Sequence, residues 1–405
     1  MENQTVNYRA TRVACYIGYI TQAIVNNVAP LLFLIFQDRF GMPLSKITLL
    51  VTVNFLLQLV IDAVAPKFVD RLGSRRPVVA AHLFSAIGVA GIGLFPVILP
   101  DPFWGLIVSV VFYALGGGLI EVLVSPIIEA CPSDNKAAGM SLLHSFYCWG
   151  TVGVVLFSTG ALALLGKDKY WLLAVLLALI PAFNAIVFAR VPIITPPKDE
   201  KDGSLRTLFS RKSFLLLMCL MLTAGAAEQA VAQWASAFAE SGLGVDKVIG
   251  DIAGPCLFSA LMGVARVFFA KFAGKIRLER YIAGCAAVCV LSYLLMTLAP
   301  SPILSFVGFG ICGLACGIFW PGITSLSAER FPRAGVTAFA MLALFGDLGC
   351  SVGPSVVGFV SDRFGEDLKT GILAAILFPL VLTVGVLILY FNKKRKDRCI
   401  RPESD

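Results

Sequence analysis

Asp70-Arg71-Leu72-Gly73-Ser74-Arg75-Arg76 is a short basic stretch between two long apolar runs, at about 46–66 and 77–99. A helix needs about 20 apolar residues to cross a bilayer, and each run meets that length. The same alternation continues outward. Upstream lies a run at about 12–36; downstream lie runs at about 103–129, 138–165 and 171–191. A polar stretch follows over 192–212 and holds Pro196-Pro197-Lys198-Asp199-Glu200-Lys201-Asp202-Gly203. Then come runs at about 213–239, 250–272, 281–299, 303–327, 336–361 and 370–391, and a basic tail over 392–405. Twelve spans use roughly 240 residues, so only short loops remain. Each span should be a helix, because an isolated strand in lipid leaves its backbone polar groups unpaired. The expected fold is an all-α integral membrane protein of twelve transmembrane helices. Its expected divisions are a bundle over 1–191, a linker over 192–212, a second bundle over 213–391 and a cytoplasmic tail over 392–405.

Composition points the same way. The chain has 405 residues, 58% hydrophobic and 14% charged, where a soluble domain carries roughly a quarter charged residues. Most of its surface is therefore expected to face lipid. The formal net charge is +8, but the basic residues sit in short turns, which argues against nucleic acid. Eleven cysteines are scattered, mostly inside apolar runs, as at Cys219, Cys285 and Cys289. No linear spacing suggests a disulfide framework, a zinc site or another metal site. No nucleotide loop or cofactor motif is evident. The first apolar run is too long for a secretory core and reads as a retained helix.

Lysine and arginine set the orientation. With the N-terminus inside, 25 of them fall in inner segments and seven in outer loops, Arg39, Lys46, Lys167, Lys169, Lys247, Arg363 and Lys369. Arg266 alone lies within a span. This split places both termini in the cytoplasm of a cell-membrane protein.

The halves also repeat at an offset of 200. Glu129 and Pro132 recur as Glu329 and Pro332; Ala138, Leu142, Val152 and Gly153 recur as Ala338, Leu342, Val352 and Gly353. A parallel repeat of six spans is expected, and such repeats place a substrate site at their interface.

Six spans, a polar linker, six more spans and the basic loop after span two resemble the major facilitator superfamily. The stretch 70–76 matches that family's first signature, except that Pro66 stands where a glycine is usual. Asp-Arg-x-Gly also occurs at 38–41 and 362–365. All three copies read as helix C-caps, with glycine left-handed and arginine at the negative end of the dipole. Only the first continues into Ser-Arg-Arg. In the family this loop makes charge contacts that hold an inner gate, which implies that role for Asp70, Arg71, Arg75 and Arg76, with Gly73 as the cap. The competing reading is simple positive-inside anchoring. Within the superfamily, Glu121, the run His144-Ser145-Phe146-Tyr147-Cys148-Trp149-Gly150, and Gly225-Ala226-Ala227-Glu228 with Trp234 look like the fucose permease group of sugar–proton symporters. A first-span acid expected in that group is absent, and Asn26-Asn27 stand there. The resemblance implies two parallel six-helix bundles, a monomer, and a cavity lined by spans one, four, seven and ten.

A charged side chain at the centre of a lipid-facing helix costs at least ~2.5–3.5 kcal/mol. Glu121, Glu228 and Asp347 are therefore expected to face a cavity or a partner. One of Glu121 and Glu228 is expected to carry the coupling proton while the other binds solute hydroxyls; Asp347 is a further coupling or ion-pair residue. Arg266 should meet an acid, with Asp347 or Glu121 as candidates, or else a substrate carboxylate. Gln229, Gln233 and Trp234 follow Glu228 within two turns. Amides pair with hydroxyls and a ring stacks on a sugar's apolar face, so these read as solute contacts, and Trp320 supplies a second aromatic wall. His144, Tyr147 and Trp149 divide between packing and a coupling or binding role. Asn54 and Gln58 share a helix face; these, with Asn26 and Asn27, read either as helix–helix hydrogen bonds or as solute contacts.

The expected function is proton-coupled movement of a small polar solute, a sugar or related compound. Export of drugs or lipids by the same fold is the alternative. The Gly-Pro pair of many drug antiporters is missing from span five and appears instead as Gly353-Pro354 in span eleven. A solute sensor is a third reading. An enzyme is disfavoured by two histidines and the lack of any nucleophile–base arrangement.

Overall fold

The structure is a computed structural model that describes residues 7–42, 44–194, 204–235, 238, 247–365 and 367–400. Among these, every regular element is helical. The long helices in chain order are α1 (Arg9–Leu31), α2 (Leu44–Leu72), α3 (Arg75–Ile98), α4 (Pro102–Ala130), α5 (Lys136–Leu165) and α6 (Tyr170–Arg190). After a short helix, Leu205–Ser210, come α7 (Lys212–Ala232), α8 (Lys247–Phe272) and α9 (Leu278–Leu298). Next are α10 in two pieces (Pro302–Cys316 and Phe319–Arg330), α11 (Gly335–Arg363), and α12 in two pieces (Leu368–Ala374 and Leu377–Ile400).

Among the described residues, eleven segments are long and apolar enough to cross a bilayer. α1 is the twelfth helix and falls outside that set, because Thr21, Gln22, Asn26 and Asn27 dilute its apolar run. The helix ends follow the sequence repeat. α4 ends at Ala130 and the second piece of α10 at Arg330; α5 starts at Lys136 and α11 at Gly335. The three Asp-Arg-x-Gly copies all end in a left-handed glycine, Gly41 (φ 60°), Gly73 (φ 70°) and Gly365 (φ 76°). A residue with a Cβ is strained at such φ, so these three caps share one physical cause.

Two compact units emerge from the chain contacts. The first comprises Met1–Asp134, Leu143–Asp199 and Arg333–Leu344; the second comprises Asn135–Leu142, Glu200–Pro332 and Phe345–Asp405. In the first unit, the triplet Gly116-Gly117-Gly118 of α4 meets three helices in turn. A Cβ on Gly116 would lie 2.6 Å from the Ala81 carbonyl of α3, on Gly117 3.0 Å from Val25 of α1, and on Gly118 3.0 Å from Ile61 of α2. The triplet therefore lets α4 pack centrally. A cluster around Ile24, Val28, Leu32, Phe36, Val110 and Tyr170 forms that unit's apolar core.

In the second unit, α7 and α11 touch backbone to backbone. A Cβ on Gly225 would strike the Gly346 carbonyl, and one on Gly349 would strike the Leu222 carbonyl. Small residues allow such close approach within lipid, where van der Waals packing and hydrogen bonds drive helix association.

Candidate functional site

In the first unit one face of α1 carries Tyr19, Gln22 and Asn26, spaced i, i+3 and i+7, and this face is polar. Gln22 Nε2 donates to Glu121 Oε2 of α4 at 3.1 Å. Tyr19 Oη lies 2.7 Å from Ser125 Oγ, one turn further along α4, and 3.3 Å from His144 Nε2 of α5. The Tyr16 ring stacks on Phe146 with centroids 4.5 Å apart. Gln58 Nε2 of α2 donates to Asn26 Oδ1 at 3.2 Å and to Asn54 Oδ1 at 3.0 Å. Asn27 Nδ2 donates to the Ala23 carbonyl at 2.8 Å and reaches Thr151 Oγ1 of α5 at 3.4 Å.

Four helices thus supply one polar cluster. Glu121 and Asn26 are half-buried, whereas Asn54, Gln58 and His144 are buried. Gln58 bridges Asn26 to Asn54, whereas Asn27 turns to its own helix and to Thr151 of α5. Tyr147 is half-buried and Trp149 exposed on α5.

The second unit holds a buried ion pair. Glu228 Oε2 of α7 lies 3.7 Å from Arg266 Nη2 of α8, and both side chains are nearly inaccessible. Glu228 Oε2 makes no hydrogen bond among the described residues, so charge alone holds it there. Arg266 Nε donates to the Gly317 carbonyl at 2.9 Å. Gly317 sits at the break in α10, and its carbonyl is free because the residue four ahead, Pro321, has no N–H to donate. Tyr293 Oη of α9 donates to the Ala227 carbonyl at 2.7 Å, beside Glu228.

The structure pairs Arg266 with Glu228, an acid outside the expected candidates Asp347 and Glu121. Its position one helix away in sequence gave no register to read. Asp347 is half-buried on α11. Trp320 packs its ring over Gly346. Regular α7 ends at Ala232, short of the expected 239. Gln229 is half-buried in its last turn, and exposed Gln233 and half-buried Trp234 lie in the turn beyond. Trp234 Nε1 donates to the Pro354 carbonyl at 3.0 Å, which fixes the indole plane.

Arg75 Nη1 of the basic loop donates to the Phe188 and Ala189 carbonyls at 3.3 and 2.8 Å. It thereby caps the C-terminus of α6, where a cation meets the negative end of the dipole. Arg71 and Arg76 are exposed, and the Asp70 side chain lies outside the described residues.

Several residues were not anticipated. Tyr19 and Gln22 were legible from their spacing with Asn26. Asp62 of α2 is fully buried; the cost argument that singles out Glu121 applies to it equally. His82 Nε2 lies 2.9 Å from Asn184 Nδ2, which also donates to the Ala14 carbonyl at 3.0 Å, tying α3, α6 and α1. Finally, Cys289, Cys312 and Cys316 form a buried group of thiols that linear spacing concealed.

A family model described as the Major Facilitator Superfamily matches residues 15–354 and 256–405. The chain is 23% identical over 367 residues to the multi-drug resistance efflux pump PmrA of Streptococcus pneumoniae, in strains TIGR4 and R6, covering 87% of this chain and 90% of the relative. Among solved structures, FucP in the outward conformation superposes with a TM-score of 0.80 at 16% identity, covering 94% of this chain and 99% of that one. The proton:xylose symporter XylE bound to 6-bromo-6-deoxy-D-glucose superposes with a TM-score of 0.79 at 12% identity, covering 94% of each chain.

Proposed function

This chain belongs to the major facilitator superfamily and is a multi-pass membrane transporter, and from that premise we propose that it moves a small polyhydroxylated solute, a sugar or a close relative, coupled to protons. Glu228 is the proton carrier and Glu121 binds solute hydroxyls. The observation that carries this division is the buried Glu228–Arg266 pair at 3.7 Å, set against Glu121 held by the neutral amide of Gln22.

A proton on Glu228 cancels its charge and releases Arg266 to its other contact, the Gly317 carbonyl at the α10 break. The proton thus competes with an internal cation, and loading weakens the α8–α7 contact while the α8–α10 contact stays. Glu121 accepts from the Gln22 amide, and amide-rich neighbours suit hydroxyl recognition. Tyr19, Gln22, Asn26 and His144 extend that surface. FucP is described as a fucose:proton symporter of E. coli, and its fold similarity supports this reading. Asp347, Tyr147, Trp149, Gln229, Gln233, Trp234 and Trp320 remain proposed solute or coupling contacts. The loop 70–76 is proposed as gating, both termini as cytoplasmic, the location as the cell membrane and the working form as a monomer.

A second reading, proton-driven export of drugs, rests on the similarity to PmrA. The test is uptake in proteoliposomes under an acid-outside gradient, with a panel of labelled sugars and a panel of lipophilic cations. Gradient-driven sugar accumulation that Glu228→Gln abolishes, with sugar exchange retained, is the expected result. Accumulation unchanged in Glu228→Gln removes that residue from coupling. Movement of cations alone transfers the protein to the export reading.

A further inference from the structure

Cys289 of α9 and Cys312 and Cys316 of α10 place their sulfurs at the corners of a near-equilateral triangle. The separations are 3.9 Å for Cys289–Cys312, 3.9 Å for Cys289–Cys316 and 3.9 Å for Cys312–Cys316. All three side chains are fully buried. Cys312 and Cys316 stand one helical turn apart and so share a face, and Cys289 comes from the neighbouring helix. An atom equidistant from sulfurs 3.9 Å apart lies about 2.3 Å from each in their plane, close to the length of a zinc–thiolate bond. The donors are therefore already close to binding distance, and a trivalent centre with a lone pair, which sits out of their plane, draws the sulfurs slightly together.

The setting decides which ligand. Among the described residues the group consists of three thiols with no histidine or carboxylate in it. Zinc in structural sites takes four protein ligands, and the hard cations calcium and magnesium take oxygen. Soft thiolates select soft centres. Charge narrows this further. Three thiolates leave a net charge of −2 with a monovalent ion and −1 with a divalent one, but none with a trivalent one. An uncompensated buried charge costs several kcal/mol. We propose that Cys289, Cys312 and Cys316 form a binding site for a trivalent thiophilic centre of the arsenite class, held as a neutral trithiolate.

The step is a condensation. Uncharged arsenous acid, As(OH)3, meets three thiols; three As–S bonds form, three As–O bonds break, and each thiol proton leaves with a hydroxide as water. Nothing is oxidised or reduced. The neutral trihydroxide is also the form able to reach a buried site among apolar helices. Once bound, the centre ties α9 to the last turn of the first piece of α10, one residue before Gly317, whose carbonyl holds Arg266. The site borders the Glu228–Arg266 pair through Gly317, but its test reads arsenic retention and does not require transport.

The full chain, reduced and purified in detergent, is incubated with sodium arsenite and desalted. Arsenic per chain is then measured by elemental mass spectrometry, and arsenic-linked peptides are mapped. The expected result is one arsenic per chain, linking the peptide of Cys289 to that of Cys312 and Cys316. Cys289→Ala, Cys312→Ala and Cys316→Ala should each lower retention at least tenfold, whereas Cys219→Ala, at an exposed cysteine, leaves it unchanged. Peptide mapping on the wild type gives the answer even if a variant fails to fold. Absence of retained arsenic, arsenic mapped to other cysteines, or retention of zinc or copper(I) in preference to arsenic would each overturn the proposal.

Discussion

Arg266 of α8 sits between two different acceptors: its Nη2 is 3.7 Å from Glu228 Oε2 and its Nε is 2.9 Å from the Gly317 carbonyl. One acceptor is titratable and the other is a backbone carbonyl left without a helical donor by Pro321. Removing one partner of a buried pair typically costs 3–5 kcal/mol, whereas replacing both with apolar residues of similar volume is often neutral or stabilising. Glu228→Leu alone should therefore lower stability by about 3–5 kcal/mol, and the double variant Glu228→Leu/Arg266→Met should recover most of that loss. Unfolding in a detergent–denaturant series reads this directly. A double variant no more stable than the single one would show that the pair is not the source of the loss.

Gln22 Nε2 donates a hydrogen bond to Glu121 Oε2 at 3.1 Å. Hydrogen bonds to charged groups contribute roughly 1.5–3 kcal/mol. If Glu121 recognises solute, Gln22→Leu should disturb its orientation and weaken apparent solute affinity by about tenfold to a hundredfold, following ~1.4 kcal/mol per tenfold change. Proton coupling, assigned to Glu228, should persist. Concentration dependence of uptake with and without a gradient separates the two effects. Loss of coupling with unchanged affinity would reverse the roles of the two acids.

The helices themselves were legible because length and hydropathy are local properties. The ends of α3, α4, α5 and α6 fall within a few residues of the expected runs, and the left-handed glycines 41, 73 and 365 follow from a four-residue pattern. The breaks in α10 after Cys316 and in α12 after Ala374 had a cause in the sequence: Gly317 and Ala375 each lie four residues before a proline, Pro321 and Pro379, which has no N–H to donate. Partnerships across helices were hidden. Nothing in the spacing of Glu228 and Arg266 fixes the rotation of α7 against α8. Likewise Cys289 lies 23 positions from Cys312, and their meeting depends on the packing of α9 against α10. Asp62 is different: it lay in plain view within an apolar run, and the cost argument applied to Glu121 would have singled it out.

Gly349 of α11 lies so close to α7 that an added Cβ would strike the Leu222 carbonyl and come within 3.0 Å of the Ala226 nitrogen. Both obstacles are backbone and cannot rotate away. Overpacking of this kind typically costs 1–3 kcal/mol. Gly349→Ala should therefore destabilise the second unit by about that amount, and Gly349→Leu by more. Gly284, where an added Cβ meets nothing within 4 Å, supplies the control. Gly284→Ala should be neutral or slightly stabilising, because alanine favours helix by roughly 0.5–1 kcal/mol over glycine. Equal melting shifts in the two variants would mean that the α7–α11 contact is looser than it stands here.

Asp367 caps α12, with Oδ1 3.0 Å from the Lys369 nitrogen and Oδ2 3.3 Å from the Thr370 nitrogen. The Thr370 hydroxyl and these two amides hold its carboxyl below the usual aspartate value. A depressed folded-state pKa means that the unfolded chain takes up this proton first as the medium is acidified. The cap's charge-linked stabilisation is therefore fully present above the unfolded value, about 3.9, and fades as pH falls through the lower folded value. Asp367→Asn keeps a good capping residue and removes the titration, so its melting temperature should fall less than wild type between pH 5 and pH 3. Asp367→Ala loses the cap at every pH, at a cost of about 0.5–2 kcal/mol. Melting curves of the three proteins across that range check both statements. Identical acid sensitivity in wild type and Asp367→Asn would assign the pH dependence to other carboxylates.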